Sequence, residues 1–313
     1  MRGMVESMQN TPGYFSGWGL ARKILALVPG LVFGVVLATP VGAQNPSSLP
    51  AQPPFPNTEA LVSRVAEHQK AVEALFTQYT CTYKSTVYTL DKAGSVRSQH
   101  TDIYYMTPTP YEVFMLHISH DGNPSSQDDL QRQEKEIEHK LRNYERKAEK
   151  NPDARPRDAL LFADIILKSR FTPLRWDTVK GVSTVVYSFA PKSQPAQHGS
   201  SEQKIAGDMK GTMWVDPTDG EIVRMDFISV SSLRLGFLVN VKGFQGFVEQ
   251  RKVNGEVWLP SRQDFVAQGR ELIKGFRIRQ VTEFSDYLKA TTDVLQQVHS
   301  PNAVTGDNAK VQQ

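Results

Sequence analysis

The most regular alternation of polar and apolar residues in the chain is Met209-Lys-Gly-Thr-Met-Trp-Val-Asp-Pro-Thr-Asp-Gly-Glu-Ile-Val-Arg-Met-Asp-Phe227. Two period-two runs flank Asp216-Pro217-Thr218-Asp219-Gly220. Pro217 presets φ early in a turn, Asp216 and Asp219 can accept from nearby backbone N–H groups, and Gly220 tolerates positive φ. The stretch therefore predicts a β-hairpin. Asn254-Gly255 suits a second tight turn, between strands over 237–250 and 256–267, and a further strand is expected over 271–287. On the pleat of the first strand, Met213 and Val215 share one face while Trp214 and Asp216 share the other. Met213 and Val215 are assigned to the inner face, and Trp214 to the outside or beneath a covering loop. A register slip of one residue would exchange the two faces.

Earlier in the chain the same alternation covers Cys81–Leu90, Val96–Met106 and Tyr111–Ile118, and it resumes over 174–179 and 181–191 around a Lys180-Gly181 turn. Three other segments have helical spacing. Leu61, Val65, Ala71 or Val72, Leu75 and Phe76 form an apolar stripe in a helix capped by Asn57 or Thr58, with Arg64, Glu67, Gln69, Lys70 and Glu73 opposite. Residues 128–150 are strongly helical, with a narrow stripe of Leu130, Ile137, Leu141, Tyr144 and Ala148 among alternating charges. This reads as a solvated helix laid over the domain, or as a partner-binding arm. Ala159–Lys168 is apolar around most of its circumference, so it must be buried or plug a cavity mouth, and it is the candidate lid.

About ten short antiparallel strands, covering helices, and Gly236, Gly243 and Gly246 where a sheet would bend define an α+β fold. The expected architecture is a strongly curved antiparallel β-sheet, an unclosed half-barrel covered by helices. A concave apolar face of this kind could bind hydrocarbon, at about 0.8 kcal/mol per buried methylene. The candidate lining and lid residues are Leu160, Phe162, Ile165, Ile166, Trp176, Met213, Val215, Met225, Phe227 and Trp258. The same composition would serve if the helices fill the face and leave only a core.

The N-terminus changes the domain picture. Residues 1–43 have the layout of a cleaved signal peptide: a polar leader ending in Arg22-Lys23, an apolar core from Ile24 to Leu37, and small residues up to Ala43. Its apolar run is shorter than the roughly 18 residues of a membrane-spanning helix. Residues 44–57 read as a Pro-rich linker, a flexible tether. Residues 58–288 then form a single domain with a charged helical insertion at about 125–156, and 289–313 a flexible tail. A periplasmic location is expected. Of 313 residues, 39% are hydrophobic and 22% charged, which is a globular composition. The net charge of +3 includes Arg2, Arg22, Lys23 and Glu6, and without these the balance is 33 basic to 32 acidic. No nucleic-acid partner is indicated. The single cysteine, Cys81, allows no internal disulfide and reads as a half-buried strand residue.

Candidate chemistry is sparse. His117 and His120, with Asp121, form the only histidine cluster read from the sequence. A spacing of three on a strand puts the two rings on opposite faces, so no metal site is expected there. A hydrolase using His117 or His120 is the minor alternative. There is no nucleophile elbow, no His-Glu-x-x-His and no Cys-x-x-Cys, so the chain reads as a non-enzyme without a cofactor.

The order of an export signal, a first helix running into Tyr79-Thr-Cys-Thr-Tyr83, a strand meander and a lid-like helix is followed by Gly211–Met225, Val253-Asn-Gly-Glu-Val-Trp-Leu-Pro260 and Lys274–Tyr287. In this order the chain resembles the outer-membrane lipoprotein-sorting superfamily of LolA, LolB and RseB. The resemblance implies a half-barrel with an apolar cavity that receives the acyl chains of a lipoprotein or another lipid in the periplasm. It further implies a carrier-like or sorting role, with a monomer expected. The charged insertion is an addition to that pattern. It supports the alternative of an envelope stress sensor or scaffold that binds an envelope protein.

Overall fold

The computed structural model describes residues 53–76, 78–108, 113–150, 162–192, 207–235, 239–271 and 274–289. Twelve strands occur among them: β1 (Tyr79–Leu90), β2 (Val96–Pro108), β3 (Val113–His120), β4 (Asn123–Pro124), β5 (Ser169–Val179), β6 (Val182–Pro191), β7 (Met209–Asp216), β8 (Glu221–Ser229), β9 (Leu233–Leu235), β10 (Val239–Val253), β11 (Val257–Glu271) and β12 (Lys274–Lys289). Their spatial order is β4-β3-β2-β1-β12-β11-β10-β8-β7-β6-β5, with β9 pairing to β10 off that path. The described pairings are antiparallel. With β4 and β5 as edges, the sheet is an open, curved half-barrel.

The turns form as their residues require. In the β7–β8 turn, Thr218 N donates to Asp216 Oδ1 at 2.8 Å and Gly220 N to Asp216 O at 2.9 Å, with Gly220 at φ 74°. Asn254 (φ 51°) and Gly255 (φ 71°) supply the paired positive φ angles of a primed turn between β10 and β11. Gly211 on β7 is needed for a different reason. A Cβ there would lie 1.9 Å from Asp226 O of the paired strand.

Among the described residues, three helices lie against the sheet: α1 (Thr58–Phe76), α2 (Gln127–Lys150) and α3 (Phe162–Lys168). Asn57 caps α1, its Oδ1 accepting from Ala60 N at 2.9 Å. The buried stripe of α1 is Leu61, Val65, Ala66, Gln69 and Val72, while Ala71 is exposed. Gln69, assigned above to the polar face, is thus corrected to the buried one. α1 and α3 pack on each other, and α1 reaches β5, β8 and β11. Beneath them lies one apolar cluster with contributions from β1, β6, β7, β8, β10, β11 and β12. A second cluster, at the far end of α1, gathers Val72, Tyr79, Cys81, Met106, Val253, Val257, Leu259, Phe284 and Tyr287.

Several expectations need correction. β5 starts at Ser169 rather than Leu174, because α3 runs straight into it. Pro173 is tolerated there because β5 is an edge strand whose register shifts between Pro173 and Arg175. Cys81 is fully buried, not half-buried, and burial pushes its thiol up to about 12, so it stays protonated and unreactive. The end of the stretch read as a tether is seated on the fold: Phe55 stacks on Trp176 at 6.4 Å, and Pro53 O accepts from Trp176 Nε1 at 2.8 Å. Residues 1–43 (read as a signal), residues 44–52, Leu160, Gly236 and residues 290–313 lie outside the described residues. No helix among the described residues is long and apolar enough to cross a membrane.

Candidate functional site on the concave face

The concave face has an apolar half and a polar half. In the apolar half, register sets Val185 opposite Val215, Tyr187 opposite Met213 and Met213 opposite Met225. With Phe189, Phe227, Phe244 and Val248 these residues form a continuous wall, buried beneath Leu61, Val65 and Ala66 of α1 and Ile165 and Ile166 of α3. Of the residues picked from the sequence, Ile165, Ile166, Met213, Val215, Met225 and Phe227 meet in this cluster, and Trp176 packs against its rim. Trp258 is buried on β11 but belongs to neither cluster, and Phe162 opens α3. Trp214 lies on the outer face, its Nε1 donating to Asp177 Oδ2 at 3.1 Å and its ring under the Arg224 guanidinium at 5.5 Å. In this conformation the helices fill the wall.

A polar clasp fastens α1 over that wall. Arg64 Nη2 donates to Pro217 O, His68 Nδ1 to Asp219 O at 2.9 Å, and Gln69 Nε2 to Glu221 Oε2 at 3.1 Å. His68 Nε2 also stands 3.4 Å from Glu221 Oε1, and Lys252 Nζ donates to Asp219 Oδ2 at 2.7 Å. Burial pushes the Glu221 carboxyl up to about 7, against the lowering pull of His68. The clasp joins the helix to the very turn that the sequence marks most clearly. Of its α1 residues, the sequence places Arg64 and Gln69 only on the polar face of the helix and does not mark His68.

The polar half begins one strand beyond Phe265. Phe265 on β11 pairs with Gln280 on β12, which pairs with Val87 on β1, and Thr282 pairs with Ser85. Gln280 Nε2 donates to Ser85 Oγ (2.7 Å), Tyr83 Oη (3.1 Å) and Thr282 Oγ1 (3.3 Å). Its Oε1 is buried without a hydrogen-bond partner among the described residues. Ser85 pairs in turn with Asp102 of β2, and Asp102 with His120 of β3.

Here the structure overturns the expected orientation of the histidines. The β2–β3 register shifts between Ile103 and Tyr104, so that Ile103 opposes Ser119 and Tyr104 opposes His117, leaving Ile118 as the extra residue of a bulge. The bulge turns both rings onto Asp102 Oδ1, His117 Nε2 at 2.9 Å and His120 Nδ1 at 2.8 Å. His100 Nε2 lies 3.8 Å from Asp102 Oδ2. The cluster is braced on both sides. Asp121 (φ 46°) holds the following turn by accepting from Thr101 N and donating to Thr101 O. The Gln133 side chain on α2 accepts from His117 N and donates to His117 O, replacing a strand partner. Ser125 Oγ donates to His117 O at 2.8 Å and stands 3.4 Å from His117 Nδ1. Its proton is thus engaged by a carbonyl, which leaves it unsuited to act as a nucleophile. The sequence did carry a signal for this site. His100 and Asp102 alternate on one strand and so share a face.

Along the outer face of α2 lies a shallow depression of about 520 Å³ lined by Asp128, Gln131, Arg132, Lys135, Glu136 and His139. Its charged lining suits a polar partner and not an acyl chain.

The fold and site define an open half-barrel whose concave face is covered by helices. No family model and no curated protein matches the sequence. Among solved structures, the chain is similar to an outer membrane lipoprotein-sorting protein domain from Vibrio parahaemolyticus, at 13% identity and a TM-score of 0.29 over 77% of this chain and 99% of that one. It is similar to a LolA superfamily protein from Nitrosomonas europaea at 11% identity and a TM-score of 0.30, over 77% and 97%. It is also similar to Pseudomonas aeruginosa MucB, solved in complex with MucA, at 10% identity and a TM-score of 0.21, over 74% and 98%. At these scores the likeness carries no functional argument, which rests instead on this chain's own side chains.

Proposed function

We propose that the chain is an exported, non-enzymatic binding protein that holds the acyl chains of a lipid or lipoprotein on the apolar half of the concave face. The supporting observation is the continuous wall of Tyr187, Met213, Val215, Met225 and Phe227, covered among the described residues by two helices, the shorter of which runs Phe162–Lys168 and joins an edge strand. A ligand enters by exchange, its hydrocarbon taking the place of Ile165 and Ile166. Ten methylenes gain about 8 kcal/mol, and exposing two isoleucines costs about 3–6 kcal/mol. Association costs consume the difference for a short chain, so binding is weak for short acyl chains and strong for long or paired ones. The signal-like layout of residues 1–43 supports a periplasmic location for this activity. Methionines at the centre of the wall suit variable hydrocarbon shapes, because the thioether side chain repacks readily.

Native mass spectrometry of the protein purified from its own periplasm should reveal a bound acylated species. Fluorescent fatty acids of increasing length should bind progressively tighter, by up to about fourfold per methylene. A ligand-free spectrum, together with no probe binding at any length, would overturn the reading.

A second reading is favoured by α2, which packs on β3 near its N-terminal end and exposes its charged face. In that reading α2 holds an envelope protein. Deleting residues 134–150 should then abolish crosslinking to that partner and leave fatty-acid binding unchanged.

A further inference from the structure

The polar edge of the concave face gathers three of the chain's seven histidines around one carboxylate, and the acyl-binding reading uses none of them. Asp102 Oδ1, His117 Nε2 and His120 Nδ1 all lie within 4.8 Å of one another. The ligands of a tetrahedral zinc ion stand about 2.0–2.2 Å from the metal, and therefore roughly 3.3 Å apart. Both nitrogens already lie at 2.8–2.9 Å from the carboxylate oxygen. Admitting an ion requires each nitrogen to withdraw from that oxygen by about 0.5 Å, while the two rings, whose ligand atoms lie within 4.8 Å of each other, settle at a similar separation by side-chain rotation.

We propose that Asp102, His117 and His120 bind a divalent transition-metal ion of the zinc type, with one coordination position left to an exchangeable ligand. Two imidazoles and one carboxylate are a borderline donor set that selects zinc and its first-row neighbours over magnesium and calcium, which prefer all-oxygen ligands. The surroundings have the character of an outer shell that aims ligands. Gln133 grips the backbone of His117 at both its N–H and its C=O, and Ser125 Oγ stands beside the ring nitrogen that faces away from Asp102. The Tyr104 ring lies 5.0 Å from the His117 ring, and the Asp121 turn anchors His120 to β2. His100, 3.8 Å from the second carboxylate oxygen and with its ring 5.9 Å from that of His120, steadies Asp102 from the other side. Access is open from solvent: the His120 side chain is 56% exposed, whereas that of Asp102 is 12% exposed. The alternative is a hydrogen-bonded cluster that never takes a metal. It is less well matched to the bulge, which re-aims His117 so that both rings converge on a single oxygen.

This inference stands whether or not the apolar half binds an acyl chain. The full chain, stripped with a chelator and titrated with Zn²⁺ by calorimetry, should bind one ion per chain, and Mg²⁺ should give no heat. Co²⁺ in place of Zn²⁺ should develop the visible absorption of a four-coordinate site. His120→Ala, at an exposed position that leaves folding intact, should weaken Zn²⁺ binding by at least tenfold, and so should Asp102→Asn. Ser125→Ala should weaken it by about tenfold, and His139→Ala, on α2, should change nothing. No saturable Zn²⁺ binding, or binding that His120→Ala and His117→Ala leave unaltered, would overturn the assignment. If Asp102→Asn fails to fold, His120→Ala alone decides.

Discussion

Phe265 on β11 and Gln280 on β12 stand opposite each other in register. One packs into the apolar cluster beneath α1 and α3, and the other bonds to Tyr83, Ser85 and Thr282. This pair marks the boundary between the two halves of the concave face. On the apolar side, contacts are non-directional, so a helix can be exchanged for hydrocarbon at a cost set by area. On the polar side each donor has a fixed aim, and the bulge at Ile118 sets the aim of the histidines. A single continuous face therefore carries a non-directional apolar surface and a directional polar one.

The largest effect should come from placing a charge on the apolar side. Met213 is fully buried, and Met213→Asp should cost more than about 4 kcal/mol, read as loss of the urea-unfolding transition or of soluble protein. A cost below about 1 kcal/mol would mean that the helices do not cover the wall in solution. Next in size is Ile166→Ala, expected to lose about 2–4 kcal/mol in the same measurement. It should tighten fatty-acid binding, because less apolar area has to be displaced. Weaker binding would make Ile166 part of the ligand pocket and not its plug.

The clasp adds a pH dependence to the apolar half. Glu221 titrates at about 7 in the fold against an ordinary value of 4.5, raised chiefly by burial. A raised carboxyl favours the folded state while protonated. Its contribution is fully present below about pH 4.5 and is lost as pH rises through about 7. The full shift corresponds to about 3 kcal/mol, of which about 2–3 kcal/mol falls between pH 5 and pH 8. Wild-type stability should fall by roughly that amount between pH 5 and pH 8 relative to Glu221→Gln, which keeps a hydrogen-bonding partner for Gln69 without the charge. Parallel pH profiles for the two proteins would remove Glu221 from the clasp. Fatty-acid binding should strengthen over the same interval if α1 loosens with the clasp.

The hairpins at 216–220 and 254–255 were legible because turn chemistry is local, and the inward set of Met213, Val215, Met225 and Phe227 was legible because strand alternation needs no partner. Gln69 was misassigned by its polarity, although it lies four residues after Val65 and three after Ala66, on the buried stripe. The convergence of His117 and His120 was out of reach for a different reason. It depends on how β3 is registered against β2, a non-local fact that strand spacing alone does not contain. The early start of β5 was hidden behind Pro173, which reads as a break unless the strand is known to be an edge.

The smallest expected effect separates the helix over the wall from the helix at the polar edge. Asn57 caps α1 through Ala60 N at 2.9 Å, and Ser126 caps α2 through Asp129 N at 3.2 Å. The two caps are chemically alike, so their removal compares what each helix is coupled to. Asn57→Ala should lower global stability by about 1 kcal/mol, since α1 belongs to the main apolar cluster. Ser126→Ala should stay within about 0.5 kcal/mol, because no described α2 side chain enters either cluster and local fraying leaves the sheet intact. Hydrogen exchange along both helices would read the difference directly, with faster exchange confined to α2 in the second variant. Equal global losses would instead tie α2 into the folding unit and weaken the case for it as a detachable binding arm.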